Sequence, residues 1–581
     1  MKYPTLTVLN SSREMVDLFK GYNHNLRIGD GEFFDMKNMT SDHYPVLSPR
    51  GQRGVYAIPA SPQGLIAKDS LCYVDGTDFV MNEYRVNMNL SDEPKQLISM
   101  GAYVIIMPDK KWINTLDLTD YGDIEASFTT DADVTFELCT IDGDAYTGVT
   151  VSSSEPSSPD NLDLWLDTSV QPNSLKRWSA TSSMWVAIAS TYIKISSPGI
   201  GAAFEQYDGV TISGVKDESL QDLNANMVVW ACSTDYIVVI GILEQVTTQT
   251  AADGAVTVAR KMPNMDFITE SENRLWGCRY GVAANGDVVN EIYACKLGDF
   301  KNWNCFMGLS TDSYVASCGT DGQFTGAITH LGYPLFFKET CVHKVYGNFP
   351  SNFQIQTTAC RGVQKGCHGS LAIVNETLFY KARTGICAYD GSLPVEASYN
   401  LGGEVYGEAV GGSHGNKYYV TMKDNAGAWH LFVYDTANNL WHKEDDLQVM
   451  SFCSCRGEMY AIDKVSKKII TMLGSGDKDT APVEWMVETG DIGLDSPDMK
   501  YISRLTIRMA MEIGATMRIF AQYDLDDEWV HVCELEGTSM RSFSIPVRPR
   551  RCDHLKLRFE GEGKCKIYSI TKTIEQGSEL S

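Results

Sequence analysis

Gly411-Gly412-Ser413-His414-Gly415 has the G-x-S-x-G spacing of a hydrolase nucleophile elbow, with Ser413 as the nucleophile. Such an elbow stands its serine between a strand and the N-terminus of a helix. Here KYYVTMK (417–423) follows, a run with strand character, so a hairpin between strands accounts for the glycines. Cys360, Cys367 and His368 are of metal-ligand type, but no second C-x-x-C pair or spaced His pair completes a tetrahedral set. Cys453 and Cys455 fall on one face of a strand, where packing explains them. Asp142 with Asp144, and Asp524 with Asp526 and Asp527, offer the hard oxygens calcium takes, without the ligand run of an EF-hand loop. These read as solvated turns. No P-loop, H-E-x-x-H motif or dinucleotide fingerprint occurs, and no repeated sialidase box accompanies the many acids. The expectation is a chain that is not an enzyme and carries no cofactor or metal.

Two groups of bases stand out instead. Arg541, Arg548, Arg550 and Arg551 cluster near the C-terminus of an otherwise acidic chain, where they suit a carboxylate-rich surface on another subunit or protein. A solvated strand end with a few salt bridges explains them equally well. Arg50 and Arg53 close a turn-rich stretch, NHNLRIGDGEFFDMKNMTSDHYPVLSPRGQRG (23–54), which cannot form a core alone and reads as an extended arm. Arg50 and Arg53 are expected to dock that arm on a neighbouring subunit or adaptor.

The elements that would position these residues are strands. LAIV (371–374), TLFYK (377–381) and ICAY (386–389) are short apolar runs split by Asn-Glu and Ala-Arg-Thr-Gly. KYYVTMK, WHLFVYD (429–435) and LWHKE (440–444) repeat the pattern, split by Asp-Asn-Ala-Gly and Thr-Ala-Asn-Asn. Each break tolerates positive φ or bonds back to its own backbone, and each run carries β-branched and aromatic residues. QLISMGAYVIIMPDKKWI (96–113) parallels AITHLGYPLFFKETCVHKVYG (327–347), and EIYACKLGDFKNWNCF (291–306) parallels HLFVYDTANNLWHKED (430–445), with Trp303 and Trp441 at matching places. Divergent repeats at a period of roughly forty to fifty residues indicate a β-propeller.

Residues 121–259 turn Ser/Thr-rich, with a Pro/Ser loop at 152–160, and read as a separate domain. The last hundred residues alternate apolar and polar, as in RLTIRMAM (504–511) and HLKLRFEG (554–561), the pattern of half-buried antiparallel strands. The expected fold is all-β: a β-propeller with an inserted β domain and a C-terminal β-sandwich. Its expected parts are an arm (1–54), a first blade (55–120), the insert (121–259), the remaining blades (260–480) and the sandwich (481–581). The only early helix expected is SREMVDLFK (12–20), with Ser12 as its N-cap.

The 581 residues carry a net charge of −25, which argues against a phosphate-neutralising grip on nucleic acid but not against a duplex sliding past. Met1-Lys2-Tyr3-Pro4 opens no apolar stretch, and the most apolar run, 236–243, is far short of the roughly 20 residues that span a bilayer. No signal peptide and no membrane segment are expected. The sequons at Asn10, Asn38 and Asn375 carry no weight without secretion, and the 16 cysteines read as reduced.

Taken in order, these stretches resemble the tail nozzle (tail-hub, or stabilisation) proteins of short-tailed bacteriophages. LRIGDGEFFDMKNMTSDHYPVLSPRGQRG is similar to the opening of that family. NRLWGCRYG, EIYACKLGDFKNW and LFVYDTANNLWHKED resemble its blade signatures, and 485–579, with the final Gly-Ser-Glu, its terminal sandwich. The resemblance implies a structural virion protein made in the host cytoplasm. It would form a homo-oligomeric, hexameric ring with portal-adaptor and tail fibre partners, closing the tail and passing duplex DNA without binding it specifically. The alternative is a host-receptor or glycan-binding propeller, with the insert as the binding module.

Overall fold

Asn375 (φ 45°) and Glu376 (φ 68°) both adopt the left-handed region, the geometry of a two-residue turn whose twist matches that of its strands. They join strand Ala372–Val374 to Thr377–Lys381 in register. Turns of this kind organise the computed structural model, which describes residues 11–283, 286–478, 481–495, 499–524, 526–545, 547–548 and 550–576. Four-stranded antiparallel meanders recur at 62–87, 96–123, 267–317, 326–359, 372–396 and 406–443. The fold is all-β: β-propeller blades, an inserted β domain and a C-terminal β-sandwich. Among the described residues the only helices are short 3-10 turns.

Two compact units divide the chain. One holds Ile98–Leu335 and His343–Gln356. In it, Ile105, Met107 and Trp112 of the 96–123 meander pack with Leu275, Phe300 and Trp303 of the 267–317 meander. The stretch 55–120 expected as one blade therefore contains two sheets, and Tyr121–Asp123 completes the second. The insert begins at Ala126–Thr129 and ends at Thr257–Arg260, paired side by side, so the chain leaves and re-enters at adjacent strands. Two of its sheets share a core that includes Phe136, Ile195, Val210, Ile237 and Val258. At its base Arg260 donates to Asp208 at 2.5 Å, and Asn302 of the blade donates to the same carboxylate at 2.8 Å while accepting from Gly209 N. The buried arginine and aspartate offset each other's desolvation, and their ties fix the insert to the blade.

The other unit takes in residues up to Leu97, Phe336–Val342 and from Thr357 onward. Strand Gly54–Ala57 pairs with Ile469–Thr471, so the last blade, Val449–Cys455 to Ile469–Thr471, is completed by a strand from near the start of the chain. Leu65, Tyr73 and Val80 pack with Ile462 and Ile469 of that blade.

The C-terminal sandwich turns on one 24-residue strand, Lys500–Tyr523, along which buried and exposed residues alternate. Its register breaks between Met511 and Thr516. Before the break it pairs with Cys565–Gln576, after it with Leu555–Glu562, and Val530–Ile545 follows its opposite edge throughout. Leu505, Ile507 and Met509 of one half, and Met517, Ile519 and Ala521 of the other, are buried.

Residues 12–20 are not helical. Ser11–Val16 is a strand paired with the last strand, from Ser11 opposite Glu575 to Val16 opposite Ile570. A helix this short gains little in water, whereas the sheet edge satisfies its backbone at once. The arm is likewise no free extension. Glu32–Lys37 pairs with Glu484–Thr489 of the sandwich and, through Gly21–Tyr22, with Trp441 of a blade. One twelve-stranded sheet thus runs from the sandwich through the arm into the 406–443 meander. The opening tetrapeptide, Asn10 and the final Gly-Ser-Glu lie outside the described residues.

Candidate functional site

The arm meets the blade at a cluster of charges in which both expected contact arginines take part. Strand Leu440–Lys443 is followed directly by Glu444 and Asp445, which still exchange backbone hydrogen bonds with Leu431. Arg53 donates to Asp445 Oδ2 at 2.7 Å and to Glu444 Oε2 at 2.6 Å. Arg50 donates to Asp445 Oδ2 at 3.1 Å and, through Nε, to Asn38 Oδ1 at 2.9 Å. The two arginine side chains are only 14% and 12% exposed, so this clasp is largely desolvated. Backbone bonds support it: Asn38 N donates to Glu444 O, and Arg50 N to Asn38 O. Further along the arm, Lys417 bonds Asp42 at 2.5 Å and Ser41 bonds Asp435 at 2.6 Å. Both arginines, expected on an outer contact face, are thus neutralised inside their own chain, because the acidic pair that follows the Trp441 strand reaches them first. Arg50 and Glu444 also line a cavity of about 740 Å³ whose other walls include Met511, Glu512, Ile513 and Lys564.

His442, on the strand that leads into Glu444, is buried near Lys417 and Asp42, with neither ring nitrogen hydrogen-bonded to protein. Burial, reinforced by Lys417, pushes it down to about 3, so it is neutral in the fold. Burial raises the carboxyl of Asp445, but Arg53 and Arg50 outweigh it and hold the group below the usual range. Asp42 is lowered in the same way by Lys417. For all three groups the unfolded chain binds protons more readily, so stability falls as pH falls. Between about pH 6.5 and 3 the loss through His442 should approach about 1.4 kcal/mol per pH unit, with the aspartates adding below about pH 4. Denaturant melts at stepped pH test this: His442→Leu should flatten the upper part of the slope and leave the lower part, and an unchanged slope would refute the assignment.

The C-terminal bases sit differently. Arg548, Arg550 and Arg551 are exposed. Arg550 pairs with Asp526 at 2.7 Å and stacks over Tyr523, and Arg541 stacks over Phe543. The structure does not gather these residues with Arg50 and Arg53: the first set faces solvent and the second is buried in the clasp.

Ser413 occupies strand Tyr406–His414 opposite Tyr418, just before the Gly415-Asn416 turn, and its carbonyl accepts from Ser454. No helix follows it. Cys367 is buried and donates to the Gly407 carbonyl. Among the described residues no group of three or more His, Cys, Asp and Glu is placed to hold a metal ion. The 16 cysteines are thiols rather than disulfides, and no described helix is long and apolar enough to cross a membrane. Asp524 caps a turn by accepting from Asp553 N, while Asp526 pairs with Arg550.

One cluster in the insert escaped the sequence reading. In the small sheet of Val149–Ser152, Leu164–Asp167, Ser174–Ser179 and Met184–Ala187, Trp185 packs edge-on against Trp165 at 5.5 Å and Trp178 at 5.4 Å. Lys176 lies over Trp165 and bonds Asp167. Met184 and Val186 on the edge strand are exposed. Three tryptophans within 21 residues of a Ser-rich stretch were the available signal.

No protein-family model matches this chain, and no curated protein does. Solved structures similar to it include an exo-β-1,3-galactanase from Phanerochaete chrysosporium, at 9% identity over 52% of this chain and 95% of that one, with a TM-score of 0.21. The surface component PorZ of the Porphyromonas gingivalis type-IX secretion system aligns at 10% identity over 88% and 82%, with a TM-score of 0.26. A Trypanosoma rangeli sialidase aligns at 8% over 97% and 95%, with a TM-score of 0.21. The expectation that the chain is not an enzyme is corrected by this finding, since glycoside hydrolases and a sialidase stand among its structural neighbours. At these identities and scores, their activities remain statements about those proteins.

Proposed function

We propose that this chain is a structural protein of a short bacteriophage tail, assembling as a ring-shaped nozzle that closes the tail and conducts DNA during ejection. The observation that supports it most is the twelve-stranded sheet joining sandwich, arm and blade. A tube wall under load needs its parts bonded in series, and here hydrogen bonds run unbroken from strand Ser11–Val16 to strand Tyr406–His414. A net charge of −25 suits a channel that repels phosphate and so passes a duplex without retaining it. In this reading portal-adaptor and tail fibre proteins are the neighbours, and the exposed surface that carries Arg548, Arg550 and Arg551 is where they would meet it. Negative-stain microscopy of the full chain, alone and with a portal-adaptor ring, tests the proposal. Rings with a channel wide enough for a duplex support it, and single copies in both samples overturn it.

A second reading rests on the tryptophan cluster. Trp178 and Trp185, half-buried at the edge of the insert's small sheet, suit stacking against a sugar face, as a host-receptor or glycan-binding module requires. Glycan-array binding that is lost in Trp178→Ala would favour it, and a blank array would remove it.

A further inference from the structure

The upper half of the sandwich sheet has two open sides. Its strand order is Val530–Ile545, Lys500–Tyr523, Cys565–Gln576, Ser11–Val16. Among the described residues Val530–Ile545 pairs only with Lys500–Tyr523, and Ser11–Val16 only with Cys565–Gln576. Open edges present unpaired backbone donors and acceptors, and proteins ordinarily cover or blunt them. Both edges here instead expose a large apolar side chain, Met15 at 63% and Met540 at 52%.

Direction, face and charge of the two edges agree. Each pairing in this half-sheet is antiparallel, so Ser11–Val16 runs with Lys500–Tyr523 and against Val530–Ile545. Laying the first edge of one copy beside the second edge of another therefore continues the alternation. Glu14 and Val16 lie opposite Lys572 and Ile570, which face Leu505 and Ile507 across the next pairing. Phe543 and Ile545 lie opposite Ile507 and Leu505, and Arg541 opposite Met509. Glu14, Val16, Arg541 and Phe543 thus belong to one face, and Met15 and Met540 to the other. One register sets Glu14 against Arg541 and Met15 against Met540, an opposite-charge pair on the inner face and an apolar pair on the outer.

We infer that strand Ser11–Val16 of one copy adds to strand Val530–Ile545 of the next, antiparallel, with Glu14 opposite Arg541 and Met15 opposite Met540. Each copy offers one edge of each kind, so the contact is head-to-tail, and rotation about an axis closes it into a ring. The inference rests on the ring proposed above and supplies its subunit contact.

The test uses the full chain in three forms: parent, Met15→Asp and Met540→Asp. Both positions point to solvent within one copy, so thermal melts should match the parent. Native mass spectrometry should find rings of the parent and single copies of each variant. An equal mixture of the two variants should give one-to-one pairs and nothing larger, because each retains one intact edge. Arg541→Glu, on the exposed edge, should also reduce rings to single copies should Met15→Asp loosen its own strand. Rings that persist in the variants would overturn the strand pairing and leave the ring standing. A mixture that stays as single copies would overturn the head-to-tail arrangement. A parent that is single at every concentration would overturn the ring and the pairing together.

Discussion

Arg53→Ala should lower the stability of the arm–blade junction by about 3–5 kcal/mol, because it removes one partner of a largely desolvated charge cluster and leaves the others buried. Glu444 would keep only Arg50 Nε, at 3.6 Å, and Asp445 would keep one of its two arginines. Hydrogen exchange at Met39–Thr40 and Gly54–Ala57 should accelerate most, since those short strands flank the clasp. Arg53→Lys should fall between parent and Ala: it restores charge but cannot span both carboxylates with one planar fork. A change within about 0.5 kcal/mol for Arg53→Ala would mean the cluster is surface-like and would remove it as the arm's anchor.

Gly21→Ala should cost on the order of 3 kcal/mol and act at a single place, the point where the arm joins the blade. Gly21 has φ 85°, a region that disfavours any side chain, and an added Cβ would press into the carbonyl oxygen of Trp441. That carbonyl belongs to the strand Tyr22 pairs with, so the collision cannot be relieved by turning a side chain. Tyr22 packs its ring against Phe432, and this contact should loosen too. The expected readout is a lower denaturant midpoint with fast exchange at Gly21–Tyr22, while exchange in the insert stays at parent rates. Parent-like exchange at Gly21–Tyr22 would show that the junction tolerates separation.

Why some of this was legible in the sequence, and some not, follows from the range of each signal. The hairpin at Asn375-Glu376 is announced by its own residues, so the meanders follow from local chemistry. The alternation of Leu505, Ile507 and Met509 likewise marks a half-buried strand wherever it pairs. The arm carried no such signal. Its partners, Glu444 and Asp445, lie about four hundred residues away, and nothing in SPRGQRG distinguishes a docking loop from a clasp. SREMVDLFK was misread for a related reason: its apolar spacing suits a short helix, and only the distant edge of Cys565–Gln576 decides for a strand. Ser413 went the other way, since the strand after it was visible at once and left the elbow motif without its helix. The junction of Asp208, Arg260 and Asn302 was invisible because its members are scattered and each is commonplace alone.

The pairing of Ser11–Val16 with the final strand, and of Glu32–Lys37 with Glu484–Thr489, also dictates a schedule for synthesis. At roughly 5–20 residues per second, the first strand waits about half a minute to two minutes for its partner to leave the ribosome. Gly54–Ala57 waits nearly as long for Ile469–Thr471. Throughout that interval the opening segment has no native sheet to join, while the insert, whose strands all lie between Ala126 and Arg260, can already fold. Closure of this sheet therefore waits until residues 565–576 have emerged, so a polypeptide that stops short of residue 565 leaves Ser11–Val16 unpaired.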